Sequence, residues 1–553
     1  MFSSEQSADC RLADEERHLE SLRRVIPVEC KANYNPERGC MQGTRVGILK
    51  EISEWVVNPN SPERLLWLHG PTGSGKSAIA SSVCHQLHMR TDGRQYLAAS
   101  FFCKRDDQYL RNPTLILPKV AMDVADVFPA FAKAVATLLS NDRSLAKTEA
   151  LRPQFTGLIK GPVTELAWGN REPLVIVVDA LDEIGTAEDR RQLIAIFHEM
   201  SGLTPWLKVI LTSRPDPDIR RFFNRPGQTF RDLDLNMRSS LSDILTATRV
   251  RMRDIANDNN LGSDWPGEAK IFALAERAMP LFIWVEVATS FIKGSMQPDD
   301  RLDRVLKADF TGGAYQQLDS LYTTAIVNFF GDGVDNAEYF RDIMGIIVVV
   351  SLHTPLPLPA LLALKLQANG NSQERTIDGG VAKRTIDALA SVLYEDRNND
   401  GAIRLCHPSF MDFLIQPDRL CPPRFHIDIQ YENTRVAAMC LRTMLDSKHG
   451  LKFNICDLDS SHHLNANIDG LDDRVEVAIS DPLHYSCLHW AAHLADSSTG
   501  EDEHKDLYEL LKNFFNGSHP LFWLEALSLL GEVRTAIKTL PLVVAWINVS
   551  YQI

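Results

Sequence analysis

Five short apolar runs punctuate the first half of the chain: Arg64–His69, Tyr96–Cys103, Leu174–Asp179, Leu207–Thr212 and Phe230–Leu235. Their length and their Val, Ile, Leu and aromatic content predict buried strands. The stretches near 77–90, 115–140 and 186–200 that separate them read as helices. Strands alternating with helices predict a mostly parallel sheet covered on both faces. Such sheets bind ligands at the carboxyl ends of their strands.

Outside this segment the pattern changes. Residues 1–40 read as a lead-in, poorly structured or helical, ending in the Asn/Pro/Gly cluster Asn33–Gly39. Residues 41–57 carry Val46, Ile48, Leu49, Ile52, Trp55 and Val56 at helical spacing, with Thr44 as the expected cap. Beyond 235 the pattern is helical: Leu241–Ile255, then Glu268–Ile292, which contains Pro280. Residues 316–425 predict helices over Leu318–Phe330, Phe340–Val350, Leu358–Leu366 and Thr385–Leu389. A hairpin follows, Ser391–Glu395 and Ala402–Cys406 around the turn Asp396–Gly401, then a helix over His407–Leu414. Helices with a small hairpin form a winged-helix-like pattern. Residues 426–553 read as helical throughout, and no repeat of 20–50 residues is visible. The expected division is therefore 1–40, 41–235, 236–315, 316–425 and 426–553.

A chain of 553 residues is too long for one core, which agrees with several domains. A net charge of −14, with no Lys/Arg-rich block, argues against a dedicated nucleic-acid binder. The 10 cysteines form no C-x-x-C pair, so free thiols are expected. The charged N-terminus lacks the apolar core of a signal peptide. The most apolar stretches, Ile343–Val350 and Leu540–Val549, fall far short of the ~20 residues of a membrane span and read as buried strand or helix. No membrane span is expected, and the cytoplasm is the default location.

The chemistry begins directly after the first strand. Residues 70–77 read G-P-T-G-S-G-K-S, the phosphate-binding loop pattern between a buried strand and a helix start. Gly70 opens this loop. Gly73 and Gly75, flanking Ser74, let the backbone turn tightly and aim its N–H groups at phosphate oxygens. The helix that follows adds partial positive charge there. Lys76 is expected to reach the β- and γ-phosphates, and the Ser77 hydroxyl to ligate Mg²⁺. The strand Leu174–Asp179 ends in a carboxylate and continues Ala180-Leu181-Asp182-Glu183. Asp179 is placed to hold Mg²⁺ opposite Ser77. Asp182 or Glu183 could polarise an attacking water as a general base. Acidic residues also suit a helix start, so the same residues read as a capped helix. The next strand ends Leu211-Thr212-Ser213-Arg214-Pro215, with Arg214 at its tip either sensing the terminal phosphate or lying in a surface turn.

Together, WLHGPTGSGKSAIA, VIVVDALDEIG, VILTSRPDPDI and the downstream HPSFMDFL resemble the NACHT class of STAND P-loop NTPases, most closely those of fungi. The leader of that class is matched by Cys40-Met41-Gln42-Gly43-Thr44-Arg45, Leu49, Ile52 and Trp55. The resemblance covers roughly 30 to 550 and implies an α/β P-loop NTPase domain followed by helical, winged-helix-like and all-α domains. It implies that the leader around Arg45 borders the adenine, that Pro280 packs on the base, and that His407 touches the β-phosphate of bound ADP. Read from the residues alone, Pro280 kinks a helix and His407 is a capping or core histidine. Met237–Arg253 and Ala278–Glu286 depart from the family pattern. Family members commonly add an N-terminal effector domain and C-terminal repeats, neither of which is recognisable in this sequence.

What the resemblance implies is an ATP/ADP switch that uses Mg²⁺, controls self-association or association with related NACHT proteins, and signals in self/non-self recognition or programmed cell death. GTP remains an alternative nucleotide. The competing readings are an NTPase with real turnover and an interaction scaffold with nucleotide as a structural ligand. A small-molecule kinase is the remote option.

Overall fold

The computed structural model describes residues 16–550 apart from 29, 90–94, 143, 146–147, 166–171, 239, 308–313, 332, 367–378, 397–400, 461 and 498–500. The chain divides into two units. One runs to Lys293 and resumes over Gln297–Gln317; the other takes Gly294–Met296 and Leu318 onward.

All five predicted strands of the first unit form: β1 (Leu65–His69), β2 (Leu97–Phe102), β3 (Leu174–Asp179), β4 (Leu207–Ser213) and β5 (Arg231–Asp234). They make one parallel sheet in the order β2-β3-β4-β1-β5. Alternate residues enter opposite layers. Leu65, Trp67, Ile176, Val178, Val209 and Leu211 join one apolar cluster, whereas Leu66, Leu68, Val175, Val177 and Ile210 join the other. Burial on both faces is why these strands read as continuous apolar runs rather than alternating ones.

The leader helix spans Val46–Val57 and buries Ile48, Ile52, Trp55 and Val56. Thr44 does not cap it; its hydroxyl bonds the Met41 carbonyl instead. Arg45 occupies the cap position in left-handed backbone (φ 56°, ψ 18°). The far end is held by Lys208 of β4, a fully buried lysine whose Nζ donates to the carbonyls of Trp55 and, at 2.9 Å, Asn58. Burial lowers this ammonium to about 8.

Several helical boundaries differ from expectation. The stretch 115–140 is two helices, Ile116–Val127 and Pro129–Asn141, because Pro129 forces extended backbone on Phe128 (φ −133°, ψ 92°). Residues 151–165 are helical although no helix is expected there. Glu268–Ile292 is likewise two helices, Glu268–Ala278 and Phe282–Lys293, separated at Pro280. A further helix, Pro298–Lys307, buries only Pro298, Leu302 and Val305.

The second unit is helical around one antiparallel hairpin, β6 (Leu393–Asp396) with β7 (Ala402–Leu405). The inner residues of its expected turn, 397–400, lie outside the described residues. The helix Pro408–Ile415 follows the hairpin, and Ile429–Leu445 packs on Asp481–Ala495 farther along. Ile343–Val350 and Leu540–Val549 both fall inside helices. Among the described residues, no helix is long and apolar enough to cross a membrane.

Candidate functional site

The carboxyl ends of β1, β3 and β4 gather most of the expected site residues. The loop from Gly70 to Gly75 leaves β1, and Gly73 and Gly75 adopt φ of +82° and +90°, which only glycine takes without strain. Gly70 lacks room for a side chain: an added Cβ would meet Leu235 Cβ at 2.9 Å. The helix Lys76–His88 starts directly after Gly75. Its first residue, Lys76, is buried, and its Nζ donates to the carbonyls of Gly70 and Pro71, both at 2.9 Å. Burial lowers the ammonium, opposed by the charges of Asp182 and Asp179. The next residue, Ser77, is exposed.

β4 lies between β1 and β3, and its Thr212 side chain holds the Asp179 end of β3 one strand away from the strand that carries the phosphate loop. Thr212 donates to Asp179 Oδ1 at 2.5 Å and accepts from the Ala180 N–H at 2.9 Å. Burial raises the Asp179 carboxyl, against the hydroxyls of Thr212 and Ser77 and the charge of Lys76. Ala180 is left-handed (φ 55°, ψ 47°) and turns the chain into the short helix Leu181–Glu183. That turn gives the two following carboxylates different surroundings. Asp182 accepts from Arg214 through Nε (2.7 Å) and the backbone N–H (2.8 Å). Burial pushes Asp182 up, but Arg214 and Lys76 outweigh it and the net shift is down. Glu183 accepts from the Arg105 N–H at 3.0 Å. Burial and the nearby Asp182 charge push Glu183 up to about 7, against the pull of Arg105. Asp182 is therefore held as a charged partner of Arg214, and Glu183 has the protonation range of a general base.

Arg45 reaches this loop from the leader. Its guanidinium is buried, donates to the Ser74 carbonyl at 2.8 Å and the Arg238 carbonyl at 3.3 Å, and lies 4.9 Å from the Phe282 ring centroid. Burial lowers it, with Asp243 opposing. Pro280 lies in the break before Phe282–Lys293, and the Ile283 N–H of that helix donates to the Gly73 carbonyl at 3.2 Å. His407 belongs to the second unit, where it caps Pro408–Ile415 by accepting from the Ser409 N–H. Sequence reasoning gave no role to Thr212, Arg105 or Phe282. Only Thr212, at the tip of a predicted strand beside Arg214, carried a readable signal.

Among the described residues, no three His, Cys, Asp or Glu side chains converge as a metal cage. Ser77 and Asp179 instead form a partial shell of hard oxygens, the kind that Mg²⁺ completes with phosphates and water. A buried cation, a glycine-turned loop at a helix start and this oxygen pair fit a nucleotide phosphate chain with its metal.

Residues 43–214 match the family described as Nephrocystin 3, N-terminal. The chain is 23% identical over 570 residues to the vegetative incompatibility protein HET-E-1 of Podospora anserina, covering 95% of this chain and 39% of that protein. It therefore spans about two-fifths of the length of that relative. Among solved structures, the Walker-type ATPase PABY2304 of Pyrococcus abyssi is similar at 13% identity and a TM-score of 0.28, over 66% of this chain and 94% of that one. PCH-2 of C. elegans gives 11% and 0.28, over 51% of this chain and 70% of that one.

Proposed function

We propose that the chain is a nucleotide-dependent signalling switch of the NACHT type, with Mg²⁺ and ATP or ADP as its ligands. The observation that carries this reading is the buried Lys76 ammonium in a glycine-turned loop, one strand from Asp179. Lys76 and the loop N–H groups would hold the phosphates, and Ser77 and Asp179 the metal. Bound Mg²⁺ would neutralise charge on the β- and γ-phosphates. Glu183 would take the proton of an attacking water, and Arg214, braced by Asp182, would sense the terminal phosphate. Arg45 supports the loop from behind, and Pro280 closes the adenine side. His407 would clasp the β-phosphate in a closed ADP state. A ligand shifts such an equilibrium only by binding one state more tightly. The segments 41–235, 236–315 and 316–425 would be the nucleotide-binding, helical and winged-helix-like parts of the switch.

The output would be self-association or association with related chains, in self/non-self recognition or cell death. The name of the HET-E-1 relative supports that direction. ATP is favoured over GTP by the resemblance, which sets the leader around Arg45 at the border of the adenine and Pro280 against the base. The placement is cytoplasmic. Glu183 near neutrality favours a second reading, an NTPase with real turnover. Steady-state hydrolysis separates the two: roughly 1 s⁻¹ or more marks the enzyme, and far slower turnover the switch.

The deciding experiment is to purify the protein, denature it and identify the released nucleotide by chromatography. Stoichiometric ADP is expected. A site that is empty and has no measurable affinity for ATP or GTP would overturn the switch and leave the scaffold.

A further inference from the structure

We propose that Thr212 is a positioning residue for the metal: its hydroxyl holds Asp179 by Oδ1 and leaves Oδ2 as the oxygen offered to Mg²⁺. This rests on the proposed pairing of Ser77 and Asp179 at the metal, and it names what aims the carboxylate.

The hydrogen-bond directions follow by elimination. The Ala180 N–H lies 2.9 Å from Thr212 Oγ1 and can only donate, so the hydroxyl oxygen accepts there. The single hydroxyl proton is left for Asp179 Oδ1, 2.5 Å away. A carboxylate that binds a metal is ionised and only accepts, so the chain of bonds has one sense. It runs from the Ala180 N–H to Thr212 Oγ1, then from the Thr212 O–H to Asp179 Oδ1. Anchoring one oxygen fixes the rotation of the carboxylate and sets where the other oxygen points.

The anchor is rigidly built. Thr212 and Asp179 are both buried, which keeps bulk water from competing for Oδ1. Val178 of β3 pairs with Leu211 of β4, so Asp179 and Thr212 are the next residues along two adjacent parallel strands. The residues after Thr212 are tied down as well. Ser213 Oγ accepts from Trp67 Nε1 of β1 at 2.9 Å, and Arg214 Nε donates to Asp182 at 2.7 Å. The same Thr212 hydroxyl also holds the N–H of the left-handed Ala180, which turns the chain toward Asp182 and Glu183. A hydroxyl accepts from one neighbour while it donates to the other; valine has nearly the same shape and does neither.

The test measures binding of a non-hydrolysable ATP analogue to the full chain by calorimetry, once with Mg²⁺ and once in EDTA. The ratio of the two affinities isolates the share that the metal contributes. Thr212→Val should cut that ratio about 10- to 100-fold, the usual weight of a group that orients a metal ligand, and leave the affinity in EDTA unchanged. Thr212→Ser, which keeps the hydroxyl, should restore the ratio. A merely structural role would lower both affinities together, and that result, or an unchanged ratio in Thr212→Val, overturns the proposal. Should Thr212→Val not fold, a crystal structure of the wild type with the analogue and Mg²⁺ decides. Thr212 on Oδ1 with the metal on the Oδ2 side is expected, and a metal facing Oδ1 overturns the proposal. If Mg²⁺ adds nothing to the wild-type affinity, the metal pair of Ser77 and Asp179 falls and this inference with it. If Mg²⁺ tightens the wild type and Thr212→Val equally, the pair stands and only the role of Thr212 falls.

Discussion

Glu183 and Glu432 lie in different units, and burial lifts both carboxyls to about 7. Their surroundings differ in kind. Glu432 is held by Arg435 of its own helix at 2.9 and 3.1 Å, and Arg435 also bonds Asp342 at 3.3 Å. It fits because residue 345 of the facing helix is glycine; a Cβ there would come within 2.4 Å of its carboxyl carbon. Glu183 is held by a backbone N–H and sits beside a second carboxylate, a buried lysine and a phosphate-loop turn. A shifted carboxyl alone therefore does not mark a functional site. The groups that converge around it do.

The comparison breaks most readily by hydrolysis. Glu183→Gln is expected to lower single-turnover ATP hydrolysis by roughly 100-fold or more, the usual weight of a general base, with nucleotide affinity nearly unchanged. Glu432→Gln should leave the rate per folded molecule alone. Equal losses in both would erase the distinction. Next in size, Lys76→Ala should weaken ADP binding by roughly 100-fold in calorimetry, since it removes a buried cation from the phosphates. Gly345→Ala should cost about 3 kcal/mol in denaturant unfolding, by forcing Glu432 off Arg435 while their charges stay buried.

The pH dependence sharpens the same contrast. Each folded carboxyl keeps its proton up to about 7, whereas the unfolded chain loses it near the ordinary value of 4.5. The folded state binds the extra proton in that window, so stability falls as pH rises from 4.5 to 7, by about 2–3 kcal/mol per site. Glu183→Gln and Glu432→Gln should each flatten the curve of unfolding free energy against pH, and only the first should also alter catalysis. The smallest effect is Ala180→Gly. It should stabilise the fold by about 1 kcal/mol, because the left-handed backbone there suits glycine. An unchanged thermal midpoint would show that the turn holds no strain.

The strands were legible because each is buried on both faces and bounded by turns. The break at Pro129 follows from the residue-before-proline restriction, but the apolar spacing runs straight across it. The helical stretch 151–165 was hidden by Pro153, Gly157, Gly161 and Pro162, and it contains a wider π turn over Thr156–Lys160. Pro298–Lys307 does have a readable face, Pro298, Leu302 and Val305 at helical spacing, but it is only three positions long and set among charges. At the site, residues inside contiguous motifs could be named in advance. Thr212 acts through the adjacency of β3 and β4, which no local pattern encodes. Arg105 acts on Glu183 through its charge as well as its N–H, and lies far from it in the sequence, so no local pattern marks it. The division of labour between Asp182 and Glu183 arises from the Ala180 turn, not from their spacing.

The leader helix is gripped at both ends: Lys208 clamps its last carbonyls, and Arg45 at its start bonds the Ser74 carbonyl. A rod fixed at two points does not swivel; it transmits torque. A pull or twist applied to the chain ahead of Arg45 would reach the Ser74 peptide directly, with no slack joint between. The segment that carries least of the chemistry is thus mechanically the handle of the phosphate loop.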